Sequence, residues 1–162
     1  MTIEAGAADL DRANLKVSLK DVSMTYGQSK AEVETQYGYD TEGLVNNDSL
    51  SEVVTNLAVI GYVNDAYNAD GTTKNVGGDY KVSFDGANID HTNYNVEVVA
   101  GDVTMTKANL KVTLNGVEMT YGDSESAIAS QYGYVIDASK KLVNGDTLDE
   151  VVTYTGYVND AY

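Results

Sequence analysis

From Asn14 to Lys20 apolar and polar residues alternate: Leu15, Val17 and Leu19 fall on one face, Asn14, Lys16, Ser18 and Lys20 on the other. That is the period-two signature of a half-buried strand. Asp21 breaks the phase, and Val22, Met24 and Tyr26 resume it as far as Gly27. The whole stretch, ANLKVSLKDVSMTYG, returns as ANLKVTLNGVEMTYG at Ala108–Gly122, displaced by 95 residues with 11 of 15 positions identical. In the second copy the break is Asn115-Gly116, a strong two-residue hairpin signal. Each copy is therefore expected to open with a hairpin or with a strand that bends sharply.

The remaining pattern repeats in the same order. Val33 to Tyr39 reads as a strand, with Gly38 marking a bulge or a close backbone approach, and Gln36–Tyr39 returns as Gln131–Tyr134. Ser49 with Glu52, and Thr147 with Glu150, spell capping boxes that predict one short helical turn in each copy. Strands are expected to follow at Val53–Ile60 and Val151–Thr155. YVNDAY occurs at Tyr62–Tyr67 and unchanged at Tyr157–Tyr162. A three-residue insertion near Asp137–Ser139 and a three-residue deletion before Tyr157 cancel, which keeps the spacing at 95 at both ends. Only the first copy continues, through a turn-rich loop at 68–79, a strand at Tyr80–Phe84, a turn at 85–88 and a strand over Tyr94, Val96 and Val98. A second turn is expected at Gly101-Asp102, with Val103–Met105 leading into the next copy.

Repeats at such a period mark tandem modules. The fold class is mostly β (α+β), with residues 1–12 a linker or N-terminal strand, 13–107 a complete module and 108–162 a partial one. The second copy lacks counterparts of YKVSF and NYNVEVV, which should leave a face uncovered and an edge unpaired. Two completions are open: the sequence is a trimmed part of a longer protein, or another chain supplies the missing strands. The start MTIEAGAADLD has neither the basic region nor the apolar core of a signal peptide, as expected of a stretch taken from a longer protein.

Composition narrows the partners. Asp and Glu number 25 against 10 Lys and Arg, a net charge of -15 that repels nucleic acid and anionic membranes. No apolar run approaches the ~20 residues of a membrane-spanning helix, so neither a nucleic-acid partner nor membrane insertion is expected. With no Cys, disulfides and thiolate metal sites are excluded. Tyrosines number 13 against one Phe, which suits half-exposed strands that keep a hydroxyl wet.

Candidate chemistry is sparse. His91 stands alone beside Asp90 without a nucleophile motif and reads as a satisfied turn histidine. Phosphate-binding glycine loops are absent, and the acid pairs Glu32/Glu34 and Asp149/Glu150 read as solvated faces. No enzyme activity and no cofactor are expected. A weak calcium possibility attaches to the Asn/Asp turns at Asn46–Asp48, Asn64-Asp65, Asp70, Asp79 and Asn144–Asp146, none of which has EF-hand spacing. The recurring YVNDAY residues are left as ligand or junction contacts: Tyr62, Asn64, Asp65 and Tyr67, with Tyr157, Asn159, Asp160 and Tyr162. Rings beside amides and carboxylates suit a glycan or protein surface, but recurrence at matched positions favours a structural role.

The ordered motifs (Lys107–Thr113; Thr25-Tyr26-Gly27 and Thr120-Tyr121-Gly122; Gly43–Ser49 and Leu142–Thr147; Gly78–Val82; Asn93–Val96; Thr106-Lys107-Ala108) resemble the MBG-type (YGX type) repeats of bacterial surface proteins and adhesins. The chain departs from that pattern at Gln28-Ser29-Lys30 and Asp123-Ser124-Glu125, where a proline-containing stretch is usual, and at Lys141, where a glycine is usual. The resemblance implies a β-grasp-like module in an elongated protein at a bacterial cell surface or secreted from it. It implies a structural stalk or spacer whose partners are neighbouring modules of the same protein. The alternative is a binding or self-assembly module, recognising host glycan or matrix, or forming fibres by strand complementation between subunits.

Overall fold

The structure, a computed structural model, describes residues 9–54, 61–85, 91–153 and 156–162. It is mostly β and divides into two compact units. The first comprises the chain up to Met24 together with Gln28–Thr106; the second comprises Lys107–Tyr162 together with Thr25–Gly27.

In the first unit the alternating opening stretch forms β1 (Ala13–Leu19), with Leu15, Val17 and Leu19 all buried. Lys20 and Asp21 carry no strand, and β2 (Val22–Thr25) follows with Val22 and Met24 buried. These strands do not form a hairpin. β1 lies between β3 (Tyr39–Glu42) and β6 (Tyr94–Val99) in a three-stranded sheet. β2 edges a four-stranded sheet of order β2-β7-β5-β4, with β7 at Gly101–Thr106, β5 at Tyr80–Phe84 and β4 at Tyr62–Asn64. The break at Asp21 is thus the sharp bend that sends the chain from one sheet to the other.

β6 and β7 make the same passage, with Ala100 between them. The two bends touch: Asp102 N–H donates to Asp21 Oδ1 at 2.8 Å, and a Cβ on Gly101 would collide with the Lys20 carbonyl oxygen. Gly101 therefore opens a six-residue strand, not the expected turn, and its glycine permits the close approach of two backbones. β1 pairs antiparallel with β3 and parallel with β6, with Leu15 opposite Val96 and Val17 opposite Val98.

The expected strand at Val33–Tyr39 is overturned. Lys30–Glu34 is helix α1, opened by a capping box between Ser29 and Glu32, and it buries Val33. A strand begins only at Tyr39, though Gly38 does approach the backbone just beyond β1 closely, its carbonyl accepting from Lys20 N–H at 2.9 Å. The second expected turn appears as α2 (Leu50–Val53), whose capping box joins Ser49 and Glu52. Val53, assigned to the start of a strand, belongs to this helix; the rest of that stretch, 55–60, and the turn at 86–88 lie outside the described residues. Residues 9–12 carry no strand, so an N-terminal edge strand is absent among the described residues.

The second unit repeats part of this plan. β8 (Val112–Leu114) pairs antiparallel with β9 (Tyr134–Ile136), as β1 pairs with β3. Helix α3 (Glu125–Ile128) and a 3₁₀ turn at Ala129–Gln131 occupy the place of α1, and Ile128 is buried as Val33 is. Helix α4 (Leu148–Val151) is capped by Thr147 and Glu150 and buries Leu148. Val151, expected to begin a strand, lies in this helix, and 154–155 fall outside the described residues. The inserted Asp137–Ser139 closes on itself, with Asp137 Oδ1 accepting from Ser139 N–H at 2.8 Å and from Ser139 Oγ at 2.7 Å.

The hairpin signal at Asn115-Gly116 produces no hairpin. Val117–Thr120, the counterpart of β2, and Tyr157–Asn159, the counterpart of β4, form no strand at all. Their pairing partners in the first unit, β7 and β5, have no counterpart among residues 107–162. A strand of three or four residues is held by its ladder and its packing more than by its own propensity. Identical sequence (YVN) and near-identical sequence (VSMT and VEMT) therefore adopt different structure in the two units.

Candidate functional site

YVNDAY is anchored inside its own unit, twice and in the same way. In the first unit the Tyr62 ring packs on Tyr37, with centroids 5.0 Å apart, and on Phe84 at 5.4 Å; Phe84 also meets Tyr39 at 6.1 Å. In the second unit Tyr157 stacks on Tyr132 at 5.2 Å. Tyr67 Oη donates to the Gln28 carbonyl at 3.1 Å, and Tyr162 Oη donates to the Asp123 carbonyl, the equivalent position, at 3.0 Å. Asn64 Oδ1 accepts from Ala66 N–H at 3.0 Å, and Asn159 Oδ1 accepts from Ala161 N–H at 3.0 Å, so both asparagines fold the turn onto itself.

The two aspartates differ between the units. Both are exposed, but Asp65 Oδ1 accepts from Lys81 N–H at 2.7 Å, tying the turn to β5, and the second unit holds no counterpart of β5 among residues 107–162. The sequence-predicted contact residues are thus divided between the units, each set serving its own fold.

Burial raises the Tyr37 hydroxyl above the usual tyrosine range; the Asn64 side chain opposes that shift and Glu34 adds to it. Tyr37 Oη and Asn64 Nδ2 are both buried without a hydrogen bond of normal geometry. Burial, helped by Tyr39, also raises Tyr62. Tyr67 is pushed up to about 12, first by burial and then by Tyr37, Glu32 and Glu34. Of these hydroxyls, that of Tyr67 is a neutral donor to the Gln28 carbonyl.

A glutamine clamp repeats as well, at residues that no motif singles out individually. Gln36 accepts from Ser23 N–H at 3.1 Å and donates to Ser23 O at 2.8 Å; Gln131 does the same with Glu118, at 2.9 Å in both directions. A side-chain amide here imitates a strand neighbour. Its recurrence 95 residues on was the available signal.

The Asn/Asp loops are built by local geometry. Asn46 and Asn47 have φ of 57° and 64°, and Asn144 and Gly145 have 62° and 84°, the left-handed region that Asn and Gly tolerate best. Asp48 accepts the Tyr94 hydroxyl at 2.7 Å, while that same oxygen accepts from Val45 N–H at 3.0 Å. In the second unit Asp146 also accepts a tyrosine hydroxyl, from Tyr26 at 3.1 Å. Asp70 accepts from Thr72 N–H at 2.9 Å and from Thr72 Oγ1 at 2.6 Å, which holds its carboxyl below the usual range. Asp79 lies 3.2 Å from Lys81.

Among the described residues no group of three or more His, Asp or Glu is placed to hold a metal ion. His91 Nδ1 accepts from Asn93 N–H at 3.2 Å, and its ring lies 5.5 Å from Tyr94. A cleft of about 430 Å³ lies along the outward face of β1, lined by Lys16, Glu42, Asn95 and Glu97 among others. No helix among the described residues is long and apolar enough to cross a membrane.

The larger contrast is in burial. Leu19 is 5% exposed and its counterpart Leu114 64%; Met24 is 3% exposed and Met119 39%. Among the described residues, Ile128 and Leu148 are the buried apolar residues of the second unit. Comparison with protein-family models, with curated proteins and with solved structures finds no match.

Proposed function

We propose that this chain is a pair of non-catalytic spacer modules, of β-grasp-like kind, from a stalk displayed on or secreted from a bacterial cell. The observation that carries the reading is the reiteration, at an interval of 95 residues, of the same internal contacts: Tyr37–Tyr62 with Tyr132–Tyr157, Tyr67 with Tyr162, and Gln36 with Gln131. Aromatic and amide groups that would otherwise serve recognition are spent on holding each module together. Stability that sums over near-identical units is the economy of a repeat protein. The parallel β1–β6 pair beside short capped helices supports the β-grasp-like assignment, and the ordered MBG-type motifs support the extracellular one. Neighbouring modules of the same protein are its partners.

Single-molecule stretching between the chain ends tests this reading. A spacer module unfolds in one discrete step, and the first unit should release about 300 Å of contour, from ~3.5 Å per extended residue. Stretching without any discrete step, together with saturable binding of the chain to a host glycan, would replace the spacer with a recognition module.

A further inference from the structure

The units differ in one systematic way, and the difference specifies an occupant. In the first unit β1 has a neighbour on each side, β3 and β6. In the second, β8 has only β9 among the described residues. Asn115 N–H bonds to Gly133 O at 2.9 Å, as Lys20 N–H bonds to Gly38 O, so both copies face their antiparallel neighbour with the same backbone groups. By alternation, the backbone groups of Leu110, Val112 and Leu114 point to the side that β6 fills in the first unit. The side chains left exposed, Leu114 and Met119, are those whose counterparts Leu19 and Met24 are buried in the first unit.

We infer that the second unit is a strand acceptor, and that its occupant is a polypeptide with the residue pattern of Tyr80–Thr106, supplied by a further repeat outside these 162 residues. The first unit gives the register: Ala13 stands opposite Tyr94, Lys16 opposite Glu97 and Val17 opposite Val98. Ala108 then stands opposite the donor's tyrosine, Lys111 opposite its glutamate and Val112 opposite its second valine. The match extends to polar groups. The loop carboxylate that receives the Tyr94 hydroxyl in the first unit has its counterpart in Asp146; Tyr26 donates to its Oδ1, and the donor's tyrosine takes the Oδ2 position that Tyr94 uses on Asp48. Asp160 gains the backbone partner that Asp65 finds in Lys81.

A second copy of the chain is a poorer donor. Its Val82, Phe84, Tyr94 and Val103 are buried in its own first unit, so lending them would open one unit to complete another with no net gain in burial. The acceptor role stands apart from the spacer reading and does not depend on it.

The test uses the 162-residue chain, isotope-labelled, titrated with a synthetic peptide of residues 78–106. The expected result is saturable change at the amides of 108–119 and at Asp146, abolished by Val112→Asp in the chain or Val98→Asp in the peptide. Because a free peptide of this composition can self-associate, residues 68–106 are also appended after Tyr162. The second unit of that longer chain should then melt close to the first, with amides 108–119 newly protected. Absence of binding at millimolar peptide together with no gain in the appended chain would overturn the inference. So would a dimer of the unmodified chain whose contacts map to 108–119, because the occupant would then be a second copy.

Discussion

Leu19 and Leu114 are the same residue at the same motif position, and truncating each to alanine gives a matched measurement. A fully buried leucine is worth about 2.5 kcal/mol relative to an exposed one. Scaled by exposures of 5% and 64%, the transfer contribution is about 2.4 kcal/mol at Leu19 and about 0.9 kcal/mol at Leu114. Leu19→Ala also leaves a cavity in the buried core of the first unit, which brings the expected loss to about 3 kcal/mol; Leu114→Ala, at a largely exposed site, leaves none. Urea unfolding followed by amide signals from each unit separates the two losses. Leu19→Ala should lower the midpoint of the first unit substantially, while Leu114→Ala moves the second by a third as much or less. Equal losses, or a larger one at Leu114, would refute the claim that the second unit leaves this face open.

Three further outcomes follow from the same geometry. Asn47→Gly, which installs the residue the second unit already has at this left-handed position, should stabilise the first unit by about 0.5 kcal/mol in thermal melts. Tyr67 is raised to about 12 in the fold against an ordinary value of 10.0. The unfolded chain therefore releases that proton first, and the stabilisation is intact below pH 10 and lost as pH rises towards 12. Alkaline melts should show this fall, and Tyr67→Phe should shrink it; an unchanged profile would mean that the buried hydroxyl does not carry the linkage. Gln36→Ala and Gln131→Ala should each speed exchange at the clamped amide, Ser23 or Glu118, without moving the helix amides of the same unit.

Much of the first unit was legible because its strands are amphipathic. Leu15, Val17 and Leu19 announced β1, Tyr80–Phe84 announced β5, and the Ser49/Glu52 and Thr147/Glu150 boxes announced their helices. Lys30–Glu34 was missed because a five-residue helix with Val33 as its one buried apolar residue has no period to read. Its Ser29/Glu32 box was present, but the second copy has Ala127 in place of that glutamate. Gly101 was misread as a turn because its reason, the neighbouring Lys20 carbonyl, is 81 residues away in the chain. YVNDAY shows the limit most plainly. Its first three residues are a strand where β5 lies beside them and irregular in the second unit, where residues 107–162 hold no counterpart of β5, so their structure is set by the neighbour. The tyrosine contacts belong to the same class: the Tyr37–Tyr62 pair joins residues 25 apart and the Tyr67–Gln28 bond residues 39 apart, and only their recurrence hinted at them.

Amide hydrogen exchange on the 162-residue chain distinguishes one module encoded twice, with no counterpart of the covering strands among residues 107–162, from two units of equal closure. Positions 15–24 are to be compared with 110–119, and the comparison repeated with residues 68–106 appended after Tyr162. Slow exchange is expected at 15–24 and fast exchange at 110–119 in the 162-residue chain, converging once the strands are supplied. Equally slow exchange in both stretches of the unmodified chain would contradict that expectation.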